Sequence, residues 1–168
     1  MSITFQSTTV ELRVPGLPAP QGSKRHVGNG VMIESSKHVK PWRSDVRDAA
    51  TYFLSRTDRT PYPLDGPLSV DMVFSMPRPK GHYGTGRNAG VLKPSAALYP
   101  QGMPDLSKLA RSTEDALTSA GLWKDDARVV EYGRLAKVYA GDTSDFGDPD
   151  ALPSPGAVIR VRLLGGPR

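Results

Sequence analysis

The tightest constraint on the fold is a ten-residue alternation. In residues 67–76, PLSVDMVFSM, the side chains of Leu68, Val70, Met72, Phe74 and Met76 fall on one face. A period of two over this length predicts a strand with that face in a core and Asp71 on the outward, solvated side. The chain has other strand-like runs. VELRV at 10–14 ends at Pro15, and RVVEYGRLAKVYA at 128–140 carries Gly133 as a candidate bulge. In AVIRVRLL at 157–164, Ile159, Val161 and Leu163 alternate with Arg160 and Arg162. GLPAPQGSKRHVGNG at 16–30 has the glycines and prolines of a hairpin tip, for which GVMIESS supplies a return strand.

Two segments carry the helical period instead. Trp42, Val46, Ala49, Ala50 and Phe53 share a face, with Pro41 suited to the first turn. Residues 106–120 set Leu106, Leu109, Thr113, Ala116, Leu117 and Ala120 on one side and stop at Gly121. Strands and helices do not alternate strictly, which argues against a doubly wound parallel sheet. The expected fold is α+β: a single domain over 1–168, core about 10–164, with two main helices packed on a mixed β-sheet. Residues 77–103 form a long basic loop with Arg78, Lys80, Arg87 and Lys93, and 141–156 an acidic, turn-forming one.

Charge narrows the partners. The 22 Lys and Arg outnumber 17 Asp and Glu, for a net charge of +5, which favours nucleic acid first and an anionic membrane surface second. With no cysteine, disulfides and thiolate metal sites are excluded. His26, His38 and His82 lack a zinc-ligand spacing. GHYGTG lacks the Lys-Ser/Thr ending of a phosphate-binding loop. MSITFQSTTVELRV has no signal-peptide pattern, and no segment approaches the roughly 20 apolar residues of a membrane span, so a cytoplasmic protein is expected.

The window 104–132, PDLSKLARSTEDALTSAGLWKDDARVVEY, concentrates the candidate chemistry. Asp105 precedes the helix. Ser107, Arg111, Glu114 and Thr118 line its polar face, and Asp125 and Asp126 follow where the chain turns into a strand. Hard cations take oxygen ligands, often one or two carboxylates plus substrate phosphate. The same residues also have structural readings: Asp105 as an N-cap, the Asp125–Asp126 pair as a turn. Lys24 and Arg25 in one loop, and Arg78, Lys80 and Arg87 in another, suit phosphate contacts, with Tyr83 and His82 interleaved.

DALTSAGLWKDDARVV, preceded by PDLSKLAR, resembles the signature of the RusA family of Holliday junction resolvases, whose pattern joins D-L-D-N/K-L, D-A-L-T and W-x-D-D-x-x-V-V. PAPQGSKRHVGNGVMIESSKHVKPWRSDVR is similar to phage-type members, so the resemblance covers about 12 to 140 and implies a phage or prophage gene in a bacterial host cell. It implies a RusA-like fold and a homodimer that needs Mg²⁺ or Mn²⁺. It also implies symmetric nicking of four-way junctions in DNA recombination and repair. Position by position, the family's first aspartate falls on Asp105 and its third on Asp126, with Asp125 beside it, so the resemblance makes Asp105 and Asp126 the metal ligands. The family's lysine falls on Arg111 and its second aspartate on Ser107, a neutral and weaker ligand. Glu114 is the candidate replacement carboxylate, although seven helical residues separate it from Ser107 by ~10.5 Å. Three readings remain open: a nuclease, a junction binder that cuts weakly or not at all because of Ser107, and a basic module that binds a protein or single strands.

Overall fold

The computed structural model describes residues 8–22, 24–26, 28–29, 32–34, 37–141 and 147–165. Residues 142–146 of the acidic loop and residues 30, 31, 35 and 36 of the hairpin lie outside the described residues. The elements run β1 (Thr9–Pro15), β2 (Lys24–His26), β3 (Met32–Glu34), α1 (Val39–Ser55), β4 (Leu68–Met76), α2 (Leu106–Ala120), β5 (Val129–Tyr139) and β6 (Gly156–Leu163). Among the described residues the main sheet has four strands in the order β1-β6-β4-β5, with β4 and β5 parallel and the other pairs antiparallel. This is the mixed sheet and α+β architecture expected from the sequence. β2 and β3 form a separate antiparallel ribbon, so the return strand is where the sequence placed it.

Both helices lie on one face of the sheet. Trp42 of α1 is fully buried, sets its ring edge-on to Phe74 of β4 at 6.4 Å between centroids, and donates its Nε1 proton to Thr113 Oγ1 of α2 at 3.1 Å. One side chain thereby ties the two helices and the central sheet, and its indole N–H is satisfied inside the core as burial demands.

β4 departs from its sequence reading. It is buried on both faces, because it is an interior strand and the segment around 147–155 folds back over the side away from the helices. Leu152 donates its backbone N–H to Ser75 Oγ at 2.9 Å there. Asp71 is therefore not solvated. Its carboxylate pairs with the Arg162 guanidinium at 3.0 Å and accepts the Arg134 backbone N–H at 2.9 Å.

Gly133 is a bulge residue, as its place in the strand predicted: Tyr132 pairs with Val70 and Arg134 with Asp71, leaving Gly133 without a partner. A Cβ on Gly133 would stand 2.4 Å from Asp71 Oδ1 and 2.7 Å from Arg162 Nη2. Gly133→Ala is accordingly expected to force that ion pair apart and to cost about 1–3 kcal/mol in urea unfolding. Gly133→Ala in an Asp71→Ala background should cost less, because the nearer clashing group is gone and Arg162 is no longer held in place by its partner.

The same face carries a charge network. Arg160 binds Asp150 at 2.6 Å and Glu11 at 2.9 Å, while Arg134 binds Asp148 and Asp150. These guanidinium hydrogen bonds hold Asp148 and Asp150 below the ordinary aspartate range. A depressed folded pKa stabilises the fold above the unfolded value of roughly 4, and that stability is lost as pH falls through it. Urea midpoints should thus drop on acidification below about pH 4, and Asp150→Asn should flatten that drop.

Candidate functional site

α2 begins at Asp105, whose backbone is extended (φ −65°, ψ 135°) and whose side chain makes no capping bond. The exposed Asp105 carboxylate meets Lys108 Nζ at 3.3 Å instead. Lys137 of β5 fixes the approach by donating to the carbonyls of Gly102 and Pro104, both at 2.8 Å. Residues 17–21 strap the other side: Ser112 Oγ donates to Ala19 O at 2.6 Å, and Gln21 N–H to Lys108 O at 3.0 Å. Ser107 and Arg111 are exposed on the helix, and Arg111 makes no ion pair among the described residues.

The helix stops where glycine permits it. Gly121 sits in the left-handed region (φ 79°) while Leu122 N–H reaches back to Leu117 O. Trp123, buried, donates to Thr118 Oγ1 at 2.6 Å and locks the reversal. Asp65 then clamps the turn, pairing with Lys124 at 3.1 Å and Arg128 at 2.8 Å. Asp125 Oδ1 accepts the Ala127 N–H at 2.7 Å, so this carboxylate caps the 3₁₀ turn Asp126–Arg128 and leaves Asp126 exposed at its start.

β5 leaves this turn and runs back along α2. It presents Tyr132 to the helix, and the Tyr132 hydroxyl donates to Glu114 Oε1. Glu114, Asp126 and Tyr132, with Ala127, Val129, Val130 and Glu131, line an open concavity of about 380 Å³. Burial raises the Glu114 carboxyl above its ordinary value; the Tyr132 hydrogen bond opposes this, and the charges of Asp126 and Asp115 add to it. The Tyr132 hydroxyl is itself pushed up, first by burial and then by Glu114. Glu114 and Asp126 share a water-accessible hollow and their charges repel, and such oxygen donors are those a hard divalent cation takes; Mg²⁺ commonly uses one or two protein carboxylates. Donor type and charge therefore fit such an ion.

The fit is partial. Among the described residues no group of three or more His, Asp or Glu stands close enough to hold a metal ion. Asp105, Asp125 and Arg111 do not line the concavity. Asp105 precedes Glu114 by nine residues, ~13.5 Å along the helix axis. Tyr132 was missed in the sequence. The available signal was its place six residues beyond Asp126 on an edge strand that returns along the helix.

The basic loop 77–103 is folded back on itself with 3₁₀ turns at Lys80–His82 and Gly86–Asn88. Arg78 is held within it, donating to Ala97 O at 2.8 Å with its guanidinium 3.9 Å from the Tyr139 ring centroid. Lys80, Arg87 and Lys93 are exposed. The backbone of Lys24 and Arg25 forms β2, and their side chains lie outside the described ones.

The family described as endodeoxyribonuclease RusA has a model that matches residues 15–144 of this chain. No curated protein gives a significant match.

Proposed function

Because the chain belongs to the RusA endodeoxyribonuclease family, we propose that it nicks four-way DNA junctions symmetrically with Mg²⁺ or Mn²⁺, as a homodimer of one RusA-like domain per subunit. The observation that carries this reading is the shared hollow of Glu114 and Asp126 at the turn where the family's D-D-x-x-V-V block stands. Asp126 and Glu114 are the ligands offered by the hollow, and Asp105 is the ligand offered from the start of α2 on the strength of its family position. Asp125 assists by holding the turn that carries Asp126. A divalent ion, when bound, supplies Lewis-acid activation for phosphodiester hydrolysis. The exposed Arg111 guanidinium neutralises phosphate charge, and two-point recognition suits it to that task. Lys24, Arg25, Lys80 and Arg87 grip the DNA backbone, with Arg78 shaping the loop that carries the last two. Two-fold symmetry of the protein matches paired nicks in the substrate.

One observation favours a second reading, a junction binder with little or no nuclease activity. Ser107 lies exposed where the family has a carboxylate, and no three-acid group replaces it among the described residues. A labelled mobile four-way junction separates the two. Paired nicks in Mg²⁺ or Mn²⁺ that vanish with chelator are the expected result. Selective binding without nicks, with cutting gained in Ser107→Asp, would establish the second reading instead.

A further inference from the structure

We propose that Tyr132 is a positioning residue for this site: its hydroxyl fixes the Glu114 carboxylate through one oxygen and leaves the other for the ion shared with Asp126. The inference rests on Glu114 and Asp126 acting as cation ligands.

The geometry behind it starts in the strand. β5 carries two extra residues relative to β4, Val130 and Gly133, and they flank the pair Glu131–Tyr132. Bulges re-aim side chains, and here Tyr132, the second of that pair, brings its hydroxyl to the helix while its ring stays partly exposed. Tyr132 reaches across to α2 and bonds Glu114 Oε1, while Glu114 Oε2 accepts no hydrogen bond among the described residues. A glutamate on a helix surface otherwise samples several rotamers, and ordering it falls as a cost on ligand binding. A phenol suits the task better than a lysine or arginine. It donates one hydrogen bond from a neutral group, so Glu114 is oriented and keeps its negative charge for a cation. Groups that orient metal ligands in this way typically account for roughly 10–100-fold in affinity.

Mn²⁺ binding to the DNA-free protein tests the proposal, by titration calorimetry and by the paramagnetic resonance of unbound Mn²⁺. The natural chain, Tyr132→Phe, Glu114→Gln and the double variant are compared. Phe keeps the ring and its packing, and thermal melting checks that each variant is folded. Tyr132→Phe is expected to weaken Mn²⁺ binding about 10-fold or more. Glu114→Gln is expected to weaken it further, and adding Tyr132→Phe to Glu114→Gln should then cost nothing more. A purely structural tyrosine would lower affinity by the same factor in both backgrounds, and that result overturns the proposal. Natural affinity in Tyr132→Phe alongside loss in Glu114→Gln overturns it while leaving Glu114 as a ligand. Natural affinity in Glu114→Gln removes the ligand reading itself, and the Tyr132 proposal with it.

Discussion

Asp126→Asn should leave four-way junction binding intact and slow paired nicking by at least about 100-fold, since a direct ligand is worth no less than the outer groups that orient one. The substitution is nearly isosteric and the side chain is exposed, so the turn should keep its shape: Asp125 still caps it and Asp65 still clamps it. What changes is charge. An amide is a poorer partner for a divalent cation, and the hollow loses one of its carboxylates. Single-turnover cleavage with gel-shift binding in chelator reads the two effects separately. Equal cleavage by the natural and Asp126→Asn proteins would mean that the turn carries no ligand. A second signature follows: without Asp126 one of the like charges that raise the Glu114 carboxyl is gone, so Glu114 should ionise more readily.

The largest expected effect on stability lies at Trp42. Trp42→Ala removes a fully buried indole that touches Phe74 and is hydrogen-bonded to Thr113, so it opens a cavity between both helices and the sheet. Such truncations cost about 3–5 kcal/mol, a large share of the roughly 5–15 kcal/mol that holds a domain folded. Urea unfolding should show a markedly lower midpoint or a chain already unfolded without denaturant. Trp42→Phe keeps most of the apolar surface and loses the N–H donor. Thr113 Oγ1 still donates to Leu109 O at 2.8 Å, so this change should cost much less than the alanine. Comparable losses from the two substitutions would show that the hydrogen bond, not the packing, dominates.

The elements that the sequence made legible are those whose hydrophobic period is unbroken. α2 has its bounds written in Asp105 and Gly121, and the apolar stripe from Trp42 marks the buried face of α1. The bulge at Gly133 was also readable, because a glycine inside an alternating run has few other uses. Asp71 was misread because alternation gives a strand's two faces but not what covers the second. Its cover is Arg162, some ninety residues away, and the segment ending at Leu152. The site divides in the same manner. Asp105, Arg111, Asp125 and Asp126 stand out in one dimension because they lie within a short window. Tyr132 does not, since its meaning depends on β5 running back along α2 with two extra residues inserted. Arg78 looks like any loop cation until its stacking on Tyr139 is seen.

The register of the outermost strand bears on how the chain is made. β1 pairs only with β6, Thr9 opposite Arg162, so its partner is synthesised last among the described strands. At ribosomal speeds of about 5–20 residues per second, β1 waits on the order of ten seconds for that partner. Meanwhile α2, its turn and β5 are close in sequence and can assemble early, β5 against β4. Vectorial folding would then complete the hollow of Glu114 and Asp126 before the sheet gains its far edge. High contact order at β1–β6 makes closure of that edge the slow step, and a nascent chain stalled before residue 156 would expose an unpaired β4 flank to other chains.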